Sequence, residues 1–158
     1  MPDTDVVLRV KDLTVSFGEF TVFKNLHFDV TRGETLAIIG PNGSGKTALF
    51  RALIGVVPSA GEILWAPDVR IGYVPQRMDL DRNLSLTLRD FLLLKARIIH
   101  RKEAAVFEAL DLVHLPRARA ASPLATLSGG ELQRAMIAFA LIGSPNVLLF
   151  DEPTASID

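Results

Sequence analysis

Apolar and polar positions along the first half of the chain fall into short runs with the period of strands. Val6 to Val10 and Leu13 to Phe17 read as two short strands, and Phe20 to Val30 as a longer one with partial alternation. Thr31-Arg32-Gly33-Glu34 turns the chain into Thr35-Leu36-Ala37-Ile38-Ile39. That unbroken, β-prone run predicts a strand covered on both faces. A Gly-rich segment follows, then a helix from about Lys46 to Ile54. Pro58 to Gly61 ends it, and Glu62 to Trp65 and Arg70 to Val74 predict two further strands.

The middle of the chain changes period and reads as helical. Thr87-Leu88-Arg89-Asp90 has the shape of a capping box with Asp in place of Glu, and it introduces Phe91-Leu92-Leu93-Leu94. Glu103 to Leu112 predicts a second helix with Ala104, Phe107 and Leu110 on one stripe. Pro116 and Pro123 bracket an Ala/Arg linker. Ser128-Gly129-Gly130-Glu131 is a second capping box, opening a helix to about Ile142. Pro145 and Asn146 lead into a last strand, Val147-Leu148-Leu149-Phe150, which ends in Asp151-Glu152. Strands, a Gly-rich turn, helices, then a strand ending in carboxylates is an α/β plan with an inserted helical subdomain.

Composition narrows this plan only a little. The 158 residues suit one domain, long enough to bury about 70% of the unfolded surface. The longest uninterrupted apolar stretch, Ala135 to Ile142, is far short of the roughly 18 residues that span a bilayer. The N-terminal Met1-Pro2-Asp3-Thr4-Asp5 is acidic and has no apolar core, so no secretory signal is read there. The absence of cysteine excludes a disulfide framework and thiolate metal sites, and fits the cytosol. A formal net charge of −1 gives no electrostatic case for bulk binding to nucleic acid or anionic lipid.

Two Gly-rich turns carry the chemistry. Gly40-Pro41-Asn42-Gly43-Ser44-Gly45-Lys46-Thr47 is a complete P-loop. Its glycines free successive backbone N–H groups to curl around phosphate oxygens at a helix N-terminus. Lys46 can reach the β- and γ-phosphates, and the Thr47 hydroxyl can ligate Mg²⁺. Asp151 and Glu152 stand at the C-terminal end of an apolar strand, where open α/β sheets place their ligands. Asp151 suits a position that organises Mg²⁺, and Glu152 is placed to polarise an attacking water. The turn Ser128 to Glu131 reads as a helix cap, or as a second anion site that Gly129 and Gly130 open to close approach. One chain does not need two γ-phosphate sites. The turn therefore reads as completing the site of a partner molecule.

At these residues the chain resembles the ATP-binding subunits of ABC transporters, over nearly its whole length. Leu127 to Glu131 followed by Gln133-Arg134 matches the signature specific to that family among P-loop proteins. Phe17, before Gly18, takes the place of the aromatic that stacks on adenine, where Tyr is more usual. Gln76, in Gly72-Tyr73-Val74-Pro75-Gln76, matches the glutamine that contacts Mg²⁺ and water and couples the site to the membrane subunit. Ser156-Ile157-Asp158 resembles the D-loop, with Ile for the usual Leu. The stretch Tyr73 to Arg77, with Leu84-Ser85-Leu86-Thr87-Leu88 and Phe91-Leu92, is similar to zinc/manganese uptake ATPases, although the interval from Lys46 to Gln76 is short for the family.

The resemblance implies a P-loop NTPase core with an antiparallel β subdomain and an inserted helical subdomain. It places the core at 1–76 and 144–158, and the helical subdomain with the signature helix at 77–143. ATP and Mg²⁺ are the implied cofactors. Lys46, Gln76 and Glu152 take the catalytic roles, while Thr47, Gln76 and Asp151 hold the metal. Phe17, Gly40 to Thr47 and Ser128 to Gly130 bind ATP. The implied partners are a second copy, permease subunits and an extracytoplasmic solute-binding protein, at the cytoplasmic face of the plasma membrane. No nucleic acid is expected. The family's switch-loop histidine follows the D-loop, and the chain reads as a fragment that binds ATP without turning it over. His27, His100 and His114 precede the carboxylates and read as surface or packing residues. Lys95, Arg97, Arg101 and Lys102 read as a solvated helix edge or as contacts to the membrane subunit or lipid headgroups. Alternatives are a soluble ABC ATPase unconnected with transport and a nucleotide-binding module without turnover.

Overall fold

A computed structural model describes residues 5–76 and 85–151. The chain divides into two compact units, 1–69 and 70–158. Glu152 and the Ser156 to Asp158 stretch lie outside the described residues, as do Arg77 and Leu84.

The first unit is built on a three-stranded antiparallel sheet. Strands β1 (Val6–Phe17), β2 (Phe20–Thr31) and β3 (Ala60–Trp65) stand in the order β2-β1-β3. The middle strand carries the core residues Val7, Leu8, Val10, Leu13 and Val15, all buried. The two short strands expected before Gly18 are one strand. Asp12 adopts a left-handed φ of 51°, and the register slips between Val10 and Leu13. That irregularity is a β-bulge, which interrupts the alternation without ending the strand. Helix α1 (Lys46–Leu53) packs Leu49, Ala52 and Leu53 inward, and the Trp65 indole N–H donates to the Leu53 carbonyl at 3.0 Å. That bond satisfies one of the carbonyls left open at the helix end.

The expected strand Thr35 to Ile39 is not found. The segment has no regular structure and no ladder among the described residues, with Ile39 94% exposed and Leu36 46%. A continuous apolar run makes a central strand only when neighbours cover both faces and both edges. No described strand pairs with it here.

In the second unit, β4 (Ile71–Val74) and β5 (Val147–Phe150) pair in parallel, with Ile71 opposite Val147 and Val74 opposite Phe150. Around them stand α2 (Leu88–Ile98), α3 (Ala104–Leu112) and α4 (Gly129–Leu141). Thr87 caps α2 by accepting from the Asp90 N–H at 3.1 Å, as its sequence pattern requires. Of the stripe expected on α3, Leu110 is buried and Phe107 packs partly buried against the core, but Ala104 is exposed; Val106 and Ala109 also face inward. Phe91 of α2 stacks on Phe139 of α4, with ring centroids 4.6 Å apart. Helix α4 also lies on β4 through Met136, Ala140 and Val74. Gly72 permits this close approach, since a side-chain carbon there would stand 2.7 Å from the Ala140 carbonyl oxygen.

Leu92 and Leu110 are 0% exposed at the centre of this helical cluster. Leu92→Ala should lower unfolding free energy by about 2–5 kcal/mol, the range for a leucine removed from a packed core. Denaturant titration checks this, and a loss under about 1 kcal/mol would mean that the cluster collapses around the gap.

Candidate functional site

The P-loop follows this irregular segment and leads into α1. Gly43 and Gly45 hold φ of 81° and 95°, a region that side-chained residues avoid, and Gly45 is the cap of α1. Val22 and Phe23 of β2 lie directly against Gly45, leaving no room there for a side chain. The Ser44 N–H donates to the Pro41 carbonyl at 3.2 Å and closes the turn. The Lys46 ammonium folds back over the loop, donating to the Gly40 carbonyl at 2.7 Å and the Pro41 carbonyl at 3.0 Å. A phosphate reaching this loop meets a cation already gathered at the helix N-terminus, where the helix dipole favours negative charge. Phe17 and Phe20 pair at the turn end of the β1–β2 hairpin, 51% and 69% exposed. The Phe17 ring is thus available to a planar ligand.

The second unit gathers another set of predicted residues. Because β4 and β5 are parallel and in register, Gln76 and Asp151 emerge from the same end of the pair. The Asp151 N–H donates to the Val74 carbonyl at 3.0 Å. The Asp151 side chain is only 1% exposed, and the Tyr73 hydroxyl donates to its Oδ2 at 3.2 Å. A carboxylate buried to this degree is retained where it is bonded or binds a cation. Tyr73 has no special signal in the sequence. It sits on β4 as an ordinary aromatic strand residue, and only the parallel register brings it to Asp151.

The Ser128 turn opens α4 with both bonds of the capping box. The Ser128 hydroxyl accepts from the Glu131 N–H at 3.3 Å, while Glu131 Oε2 accepts from the Ser128 N–H at 2.9 Å and from its hydroxyl at 3.0 Å. Arg119, which the sequence pattern leaves in a linker, adds two further bonds. Its Nε donates to Oε1 and its Nη2 to Oε2, both at 2.8 Å. The Glu131 carboxyl is pushed down from an ordinary 4.5 to about 2, first by the Ser128 N–H and next by the Arg119 guanidinium. The ionised group therefore stabilises the fold in full above pH 4.5, and that contribution is lost as pH falls through about 2. Glu131→Gln should flatten acid unfolding between those limits in melts taken across the window; an unchanged acid limb would remove this carboxylate from the accounting.

His27 lies at the surface beside Asp12, with Nε2 3.2 Å from Oδ1. His100 and His114 hold left-handed φ of 55° and 54° just beyond α2 and α3, where helices commonly terminate. Among the described residues no group of three or more His, Cys, Asp or Glu is placed to hold a metal, and no helix is long and apolar enough to cross a membrane. Of the cluster at Lys95 to Lys102, Lys95 stands 5.8 Å over the Phe139 ring.

The chain is 41% identical over 153 residues to the zinc import ATP-binding protein ZnuC 1 of Hahella chejuensis, covering 96% of this chain and 58% of that protein. It is 44% identical over 153 residues to the ZnuC of Cereibacter sphaeroides, with 96% and 61% covered. The chain thus spans about three fifths of the length of these relatives. Among solved structures, an inward-facing ABC transporter described as being of metal-chelate type superposes with a TM-score of 0.84 at 29% identity, covering 98% of this chain and 62% of that one. An ATP-binding subunit of an ABC transporter superposes with a TM-score of 0.79 at 30% identity, covering 96% and 68%. The family model for ABC transporters matches residues 23–155, and the chain belongs to that family.

Proposed function

We propose that this chain is the nucleotide-binding part of a subunit that binds and hydrolyses ATP to drive a membrane transporter importing a divalent metal, zinc or manganese. The observation that carries the reading is the P-loop itself. Two left-handed glycines, a capped helix and Lys46 drawn across the loop form a cradle for a polyphosphate and for little else. Phe17 offers a face to the adenine ring. Thr47, Gln76 and Asp151 supply oxygen donors of the hard kind that Mg²⁺ takes, and the buried, Tyr73-bonded carboxylate of Asp151 fits a cation ligand. Mg²⁺ would neutralise charge on the phosphates as the terminal phosphoryl group is transferred to water.

In the proposed working state two copies close head to tail. The Gly40 to Thr47 loop of one copy holds the phosphates, and Ser128, Gly129 and Gly130 of the other cap the terminal one. Glu152 orients and deprotonates the attacking water. Gln76 senses the occupied site and relays it to permease subunits, which a solute-binding protein would load from outside. The subunit would sit peripherally at the cytoplasmic face of the membrane. Core segments 1–76 and 144–158 would carry hydrolysis, and 77–143 the coupling. The relatives named above are zinc import ATP-binding proteins, which supports the choice of cargo.

The test has two arms. Purified chain should bind Mg-ATP saturably, and absence of binding would remove the nucleotide reading. A strain lacking the full-length gene should grow poorly under metal chelation and recover with added zinc or manganese. Recovery with neither would remove the cargo and leave the ATP reading standing.

A further inference from the structure

We propose that Arg119 is the positioning residue of the Ser128 turn, neutralising and orienting the Glu131 carboxylate so that the turn accepts a phosphate rather than repelling it. This rests on the reading of Ser128 to Gly130 as the cap on a partner's nucleotide.

The difficulty at this turn is one of charge. Glu131 places a carboxylate within hydrogen-bond distance of the Ser128 hydroxyl, the group assigned to the phosphate. A bare negative charge there opposes the helix dipole that makes the turn attractive to an anion. A capping box of Ser and Glu is complete with its two backbone bonds and needs no cation. Arg119 nevertheless grips both oxygens of the same carboxylate, in the two-toothed arrangement that gives guanidinium pairs their directionality. The Glu131 side chain is 17% exposed, so water screens this pair only in part.

The guanidinium also settles where the Ser128 proton can go. In the structure the hydroxyl donates to Glu131 Oε2. To donate to a phosphate it must turn away and leave that oxygen. With Arg119 and the Ser128 N–H still bound to Oε2, the carboxylate keeps its partners when the hydroxyl leaves. The fold holds Arg119 ready for this. It sits in a short 3-10 segment, Arg117–Ala121, anchored by the buried Ala120, and the Leu88 N–H at the start of α2 donates to the Ser122 carbonyl at 2.9 Å.

The experiment measures ATP turnover against ATP concentration in the full-length subunit that contains this chain (the full chain below) for wild type, R119A, E131Q, R119A/E131Q and S128A. R119A should lower kcat about tenfold with little change in KM, because the P-loop is untouched; in the E131Q background the same substitution should lower it less than about threefold. That dependence on the carboxylate's charge is what a merely structural arginine would not produce. Should R119A fail to fold, R119K carries the test. It keeps the charge, loses the two-toothed grip, and should fall between wild type and the tenfold loss, again less so with E131Q. Equal losses with and without E131Q, while S128A is inactive, would overturn the proposal and leave the capping role of the turn intact. Full turnover in S128A would instead remove the turn from the nucleotide site, and Arg119 with it.

Discussion

Lys46→Ala should weaken ATP binding by more than about tenfold and reduce turnover of the full chain by about 10²–10³-fold, the range for removing one preorganised charge-stabilising group. Lys46 donates to the Gly40 and Pro41 carbonyls and is the only cation within the Gly40 to Thr47 loop. Those carbonyls are neutral acceptors, and a polyphosphate, being charged, is a stronger acceptor for the ammonium than they are. The substitution should not lower the melting temperature, because position 46 is the first residue of α1 and Ala is the better helix former. Loss of binding with an unchanged melt is the expected signature. Binding within about twofold of wild type would place the phosphates elsewhere.

Glu152→Gln should separate binding from chemistry. Glu152 follows the buried Asp151 and lies outside the described residues, so the expectation rests on its place in the sequence. The amide keeps the size and accepts a hydrogen bond but cannot take a proton. Loss of a positioned base slows a reaction by about 10²–10⁴-fold. Affinity for Mg-ATP should persist, and the full chain should accumulate as a closed dimer with ATP retained, seen by size-exclusion chromatography with ATP against ADP. Near-normal turnover in this variant would take the role of base away from Glu152.

The turns and helix starts were legible in the residues because their parts are local. A P-loop, a Ser-x-x-Glu cap and a Thr-x-x-Asp cap each fix a turn and a helix start within a few positions, and Gly45, Ser128 and Thr87 all cap helices in the structure. Non-local pairing was less legible. Nothing in Val10 to Leu13 distinguishes a bulge from a strand break, since both place a polar pair between two apolar runs. On α3 the buried face is wider than the expected stripe: Leu110 and Phe107 join Val106 and Ala109 against the helical cluster, and Ala104 falls outside it. Thr35 to Ile39 has the composition of a central strand, but composition cannot supply the neighbours that would pair with it. Arg119 and Tyr73 were missed for a related reason. Each acts on a carboxylate distant in sequence, Glu131 and Asp151, and an isolated Arg or Tyr carries no periodicity that points there.

The head-to-tail site is tested most directly by mixing two defective copies. Full chain carrying K46A and full chain carrying S128A should each be nearly inactive. When they are mixed, the pair formed between them has one site with both lesions and one with neither. Turnover that neither variant has alone is the predicted result. Activity of the mixture no greater than the sum of its parts would mean that each nucleotide site is built within a single chain, contradicting the account.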